Sequence, residues 1–261
     1  MEFKVGDVVS RNSHKNDILF RIAEIEEDVA ILKGLDLRLY ADSFLTDLKI
    51  ESEKGDDDRK IIEENLKALN LDRGEYFYLP GRVLHIDGDQ DYLERCIKFY
   101  HDMNVQAFGI KIKEINISKE LPEYLKKYNP DILIITGHDA YYRKTNDMSN
   151  VDNYQNTKNF IKAVREARMY EKSHDKLIII AGACQSNYEE LIKAGANFAS
   201  SPKRINIHAL DPAIVATSIS LTAKNKEIDL LKIIEKTKYG SDGIGGIITT
   251  GTMYVGYPRW T

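Results

Sequence analysis

Cysteine and tryptophan are almost missing from this chain, which has two of the first and one of the second among 261 residues, with only six prolines. Cys96 and Cys184 lie far apart and form neither a disulfide framework nor the paired ligand spacing of a zinc site, so two free thiols are expected. No apolar run approaches the roughly 20 residues that span a bilayer. The opening Met1-Glu2-Phe3-Lys4-Val5-Gly6-Asp7 lacks the apolar core of a secretory signal. An intracellular, cytoplasmic protein without membrane contact is the expectation. A surplus of one charge is lacking too: 37 basic against 41 acidic residues leave a formal charge of -4, without the bulk basicity of a nucleic-acid binder. The chain has no Gly-Lys dipeptide for a phosphate loop, no Gly-x-Ser-x-Gly elbow and no His-Glu-x-x-His zinc helix. The glycines from Gly240 to Gly246 do not separate a first strand from its helix, so neither a metal nor a dinucleotide cofactor is expected.

What is present is a 43% hydrophobic, 30% charged composition, suited to a globular protein with a full-sized core. Residues 1 to 50 hold short β-type runs, Asp7-Val8-Val9, Ile18-Leu19-Phe20-Arg21-Ile22 and Val29-Ala30-Ile31-Leu32, broken by polar turns, and predict a small SH3-like β-barrel. From 51 to about 60 nearly every residue is charged, as in a solvated linker, which with an amphipathic helix near 59 to 70 (Ile61, Ile62, Leu66, Leu69) occupies 51 to 77.

From 78 to 261 apolar strands alternate with helical stretches. Val83 to Ile86, Ala107 to Ile112, Ile132 to Thr136 and Leu177 to Ala181 read as strands; segments near 90 to 103, 119 to 128, 153 to 171 and 187 to 194 read as helices. That alternation marks an α/β domain with a doubly wound, mostly parallel sheet of flavodoxin-like order. One later helix opens at Asp211-Pro212 and another lies near 226 to 237, while Gly240 to Gly256 predicts a hairpin or closing strands.

In such sheets reactive groups collect at the carboxyl ends of the strands. Cys184 ends one strand, and Ser186 with Glu189 fits a capping box, so a helix beginning just after the cysteine would favour its thiolate. The alternative is a small apolar residue filling space. His138 occupies the matching place on the preceding strand, after Ile132-Leu133-Ile134-Ile135-Thr136-Gly137 against Leu177-Ile178-Ile179-Ile180-Ala181-Gly182. If the two strands are neighbours, about 4.8 Å apart, imidazole and thiol share one edge, the minimum apparatus for cysteine acyl transfer.

Thr136-Gly137-His138-Asp139-Ala140-Tyr141-Tyr142 and Ala181-Gly182-Ala183-Cys184-Gln185-Ser186-Asn187-Tyr188-Glu189-Glu190 resemble the YabG family of sporulation-specific peptidases. So do Leu79-Pro80-Gly81-Arg82-Val83-Leu84-His85-Ile86-Asp87-Gly88-Asp89 and the closing Gly251-Thr252-Met253-Tyr254-Val255-Gly256-Tyr257-Pro258-Arg259. The resemblance covers essentially the whole chain. It implies a cysteine endopeptidase, with His138 and Cys184 as its dyad, that trims spore coat and cortex-related precursors late in endospore formation and cuts after arginine. It also implies a mother-cell location at the developing coat. More distantly, the two frames resemble the caspase and clostripain group and imply a caspase-like fold, with Asp139 standing where that group has glycine. There the oxyanion would meet the backbone N–H groups of Cys184 and Asp139, and the Asp139 carboxylate must turn away from it or orient His138. An arginine pocket needs a carboxylate; Asp87 and Asp89 are the candidates by position, with Asp147, Asp152 and Asp211 as rivals. Two non-catalytic readings stand beside this one: a flavodoxin-like binding or signalling domain, and a spore-coat scaffold.

Overall fold

The structure is a computed structural model that describes residues 3–52, 55, 58–68, 75–142 and 147–259, with side chains of 66–68 left aside. Leu69 and the side chain of Leu66 therefore lie outside the described residues. The chain divides into two compact units, Met1–Asp58 and Arg59–Thr261.

The first unit is one antiparallel sheet made of β1 (Val8–Arg11), β2 (Phe20–Glu26), β3 (Val29–Gly34), β4 (Tyr40–Phe44) and β5 (Leu48–Ile50), in the order β4-β3-β2-β1-β5. Alternation along the strands sends Val9, Phe20, Ile22, Ala30, Leu32 and Leu48 into a common core, as a period of two requires. The barrel expected from the sequence is not closed: among the described residues β4 and β5 are the two edges of an open sheet. Closure would need those edges to pair.

Helix α1 (Asp58–Ala68), which starts at the last residue of the first unit, and β6 (Phe77–Leu79) precede the alternating part of the second. That part runs β7 (Val83–Asp87), α2 (Gln90–Asp102), β8 (Ala107–Lys111), α3 (Glu114–Tyr128), β9 (Ile132–Thr136), α4 (Thr157–Tyr170), β10 (Ile178–Ala181), α5 (Tyr188–Ala194) and β11 (Phe198–Ser200). Then come α6 (Asp211–Ser220), α7 (Leu230–Ile234), β12 (Ile244–Gly246) and β13 (Tyr254–Gly256). The main sheet has the order β12-β11-β10-β9-β7-β8, parallel except for β12. Every residue of β7, β9 and β10 is buried. Ile132, Ile134, Ile178 and Ile180 pack with Phe99, Val215 and Ile219 on one side, and Leu133, Ile135 and Ile179 with Leu121, Phe160 and Val164 on the other. Helices thus cover both faces and leave the strand ends as the place for polar groups.

Several elements differ from the expectation, among them α4, which starts at Thr157 rather than near 153. Helix α3 starts at Glu114 rather than near 119: it has no side-chain cap and carries Pro122 inside it, so its local start signals are weak. The buried stripe Ile117, Leu121 and Leu125 carries the helix across that proline. Helix α7 is confined to Leu230–Ile234. The tail forms closing strands but no hairpin, since β12 adds to β11 and β13 pairs with β6. Strand β11, three residues long, was not foreseen.

Candidate active site

Strand pairing decides what meets at the carboxyl edge. Ile135 and Ala181 are register partners on β9 and β10, and His138 and Cys184 each lie three residues further on. The two strand-end turns are tied together. Tyr141 N–H donates to Gln185 Oε1 at 3.2 Å, and Ser186 Oγ donates to Asp139 Oδ2 at 2.8 Å.

The cysteine turn is tight. Gly182 has φ +103 and Gln185 φ +57, both in the left-handed region that glycine enters freely and glutamine at a cost. The cap of α5 is Asn187, whose side chain accepts from Glu190 N–H at 3.2 Å. Ser186 instead accepts from Ala183 N–H at 2.9 Å while donating to Asp139. The expected capping box is therefore displaced by one residue, and the seven-residue helix begins at Tyr188 rather than directly after the thiol. The polar group that reaches the sulfur comes from elsewhere: Ile207 N–H points at Cys184 Sγ at 3.3 Å. A donor aimed at sulfur favours the thiolate. Cys184 is only 1% exposed. The segment above it is anchored by Gln185 N–H to Ile205 O (3.0 Å) and by Arg204, which donates to Tyr154 Oη and to Glu189.

Asp139 answers the question its position raised. Its carboxylate accepts from Thr157 Oγ1, Asn156 N–H, Ala140 N–H and Ser186 Oγ. It is turned into the loop, where burial raises its carboxyl above the usual carboxylate range against those donors.

His138 is 21% exposed in its side chain and lies between two carboxylates, with Nδ1 at 3.8 Å from Glu114 Oε1 and Nε2 at 3.9 Å from Asp89 Oδ2. Its backbone N–H donates to the same Glu114 oxygen at 2.8 Å, and the Tyr92 ring lies 5.9 Å away. Burial alone would raise the Glu114 carboxyl, but the bonds from His138 outweigh it and hold it below its ordinary value.

The acidic turn after β7 is spent mostly inside. Asp87, fully buried, accepts from Asp89 N–H at 2.9 Å and from Thr136 Oγ1 at 2.7 Å. Having one proton, the Thr136 hydroxyl gives it to Asp87 and accepts from His85 Nε2 at 2.9 Å, while Tyr100 Oη meets His85 Nδ1 at 3.0 Å. A neutral imidazole with its proton on Nε2 satisfies this chain. Asp89 caps α2 through Oδ1, which accepts from Asp91 and Tyr92 N–H. Asp87 thus turns both oxygens inward, while Asp89 Oδ2 faces His138. Of the rivals, Asp211 is buried and holds His208 N–H and Lys238 N–H, Asp147 receives Ser149, and Asp152 pairs with Lys158. Cys96 is packed inside, donating to Ala209 O.

Glu114 was missed by sequence reading, as was the Ile207 donor. The signal for Glu114 existed: it follows the end of β8, which obeys the same strand-end rule. Among the described residues no cluster of His, Cys, Asp and Glu is arranged to hold a metal, and no helix is long and apolar enough to cross a membrane.

Fold and edge together define an α/β protein that gathers its ionisable groups at the carboxyl ends of a mostly parallel sheet. Comparison with known proteins gives the family. The profile of YabG peptidase U57 matches residues 4–258. The sporulation-specific protease YabG of Bacillus subtilis (strain 168) is 39% identical over 287 residues, covering 99% of this chain and 99% of that protein. This chain belongs to the YabG peptidase family, and it is a peptidase. The non-catalytic readings give way to that result. No solved structure matches the chain.

Proposed function

We propose that this peptidase is a cysteine endopeptidase of endospore formation, with Cys184 as nucleophile and His138 as general acid and base. The observation that carries this reading is the register of β9 and β10, which sets both residues equally far beyond paired positions on neighbouring strands. The Cys184 thiolate attacks the scissile carbonyl carbon, and the resulting oxyanion meets the backbone N–H groups of Cys184 and Asp139. His138 passes a proton to the departing amine, then takes one from the water that hydrolyses the thioester. The inward turn of the Asp139 carboxylate supports this role, because it keeps a negative charge from the developing oxyanion. With Cys184 buried, a peptide reaches Sγ when the segment from Ile205 to Ile207 shifts aside.

Cleavage after arginine, of spore coat and cortex-related precursors in the mother cell, is the specificity that the family resemblance favours. Asp89 stays the arginine-binding candidate; Asp87, with both oxygens engaged internally, is the weaker one. The test uses purified full-length protein and its Cys184→Ala variant with peptides carrying Arg, Lys, Asp or Leu before the test bond, products identified by mass. Cleavage after Arg by the wild type alone is the expected result. Equal cleavage by both proteins overturns Cys184 as nucleophile.

A further inference from the structure

The main sheet places a carboxylate behind the histidine that the spacing of His138 and Cys184 does not announce. Glu114 Oε1 accepts the His138 backbone N–H at 2.8 Å and lies 3.8 Å from Nδ1 of the same residue. One carboxylate thus addresses both the main chain and the ring. Its seat is shaped for it: a β-carbon at Gly88 or Gly137, the first residues past β7 and β9, would come within 2.2 or 2.4 Å of Glu114 Oε1. Two strand ends leave the room that this one side chain fills.

We infer that Glu114 is the positioning residue of the dyad, holding the main chain of His138 and facing its Nδ1 side, so that Nε2 is the nitrogen that exchanges protons. This deepens the proposed function and rests on it for its catalytic meaning. The imidazole is faced by Asp89 from the turn before α2, by Tyr92 from α2 and by Glu114 from α3. Asp89 also reaches the ring, yet its other oxygen is committed to the N–H groups that open α2. Neither carboxylate is within hydrogen-bond distance of the ring, Asp89 at 3.9 Å from Nε2 and Glu114 at 3.8 Å from Nδ1; what sets Glu114 apart is its bond to the His138 main chain. Of the groups facing the ring, Glu114 also holds the His138 N–H, while Asn156 Nδ2 donates to the His138 carbonyl at 2.9 Å, so the main chain from which the ring starts is held at both ends. A carboxylate facing Nδ1 favours the tautomer that carries its proton there.

The experiment has two independent arms. In the first, Glu114→Gln and Glu114→Asp are compared with wild type in peptide hydrolysis across pH. Glutamine keeps an oxygen for the His138 N–H and loses the charge. The expected result is a roughly 10- to 100-fold fall in kcat for Glu114→Gln, part of what general acid–base catalysis supplies, with KM little changed. Glu114→Asp falls between the two. In the second arm, histidine-ring 15N NMR of Cys184→Ala, with and without Glu114→Gln, reads the His138 tautomer without any turnover. Loss of the Nδ1–H population in the Glu114→Gln protein is expected. An unchanged kcat and an unmoved tautomer overturn the inference. If Cys184→Ala still cuts peptides, the proposed function falls while the NMR arm still decides whether Glu114 holds His138.

Discussion

The two sheets of this chain bury their strands differently. In β2 of the first unit, Phe20 and Ile22 are buried while Arg21, Ala23 and Glu24 face solvent. In β7 and β9 of the second unit all five residues of each strand are buried. A one-sided sheet spreads its polar groups along its strands; a sheet covered on both faces has no such outlet, and its ionisable side chains gather where the strands stop. The contrast explains why Asp87, Asp89, Glu114, His138 and Cys184 crowd one edge of the second unit, although they come from four separate stretches of sequence.

Substitutions can break or sharpen that contrast. The largest effect is expected in the middle of the doubly covered sheet: Ile134→Ala in β9 should cost about 2–5 kcal/mol, the range for emptying a buried aliphatic site. Urea unfolding followed by circular dichroism reads it, and a loss under about 1 kcal/mol would show that the second unit repacks easily. Next comes Thr136→Val, which keeps shape and removes the hydroxyl between His85 and Asp87. It should cost about 1–3 kcal/mol, because two buried polar groups lose their shared partner. A neutral outcome in the same assay would mean that the chain from Tyr100 to Asp87 does not hold the acidic turn. A smaller loss, about 1 kcal/mol, is expected for Asn187→Ala, which removes the cap of α5. Replacing Ser186 by Ala should instead loosen the tie to Asp139, so thermal melts of the two variants distinguish cap from tie. The smallest effect belongs to the first unit's open face: Glu24→Ala should stay within about 0.5 kcal/mol, and a larger shift would mean that this face is not open to solvent.

Much of the second unit could be read in advance, and the physical reason is periodicity. Runs such as Ile132-Leu133-Ile134-Ile135 admit one interpretation when helical stretches flank them. The equal spacing of His138 and Cys184 beyond matching strand frames was legible for the same reason, since both frames are written in consecutive residues. Information carried by contacts between distant segments was not. Glu114 lies at the start of a helix without a capping side chain and with Pro122 inside it, so no local signal marks its first turn. Ile207 donates from its backbone, which no side-chain pattern encodes. The cap of α5 fell to Asn187 because Ser186 was recruited by Asp139, a residue 47 positions earlier. In the first unit, β1, β2 and β3 were legible as β-type runs between polar turns, but β4 and β5 were not singled out, and whether the two edges pair is decided by geometry that such runs do not contain.

The Ile207 amide over Cys184 has a consequence for timing. Whatever comes for the sulfur, whether a peptide, an oxidant or an alkylating reagent, meets the backbone of the chain's own loop first. Inactivation by a fast reagent should then level off at a ceiling as its concentration rises, because the opening of the loop, rather than the appetite of the reagent, sets the pace. The sulfur is sheathed at rest, beneath a loop whose Arg204 is bound to Tyr154 and Glu189.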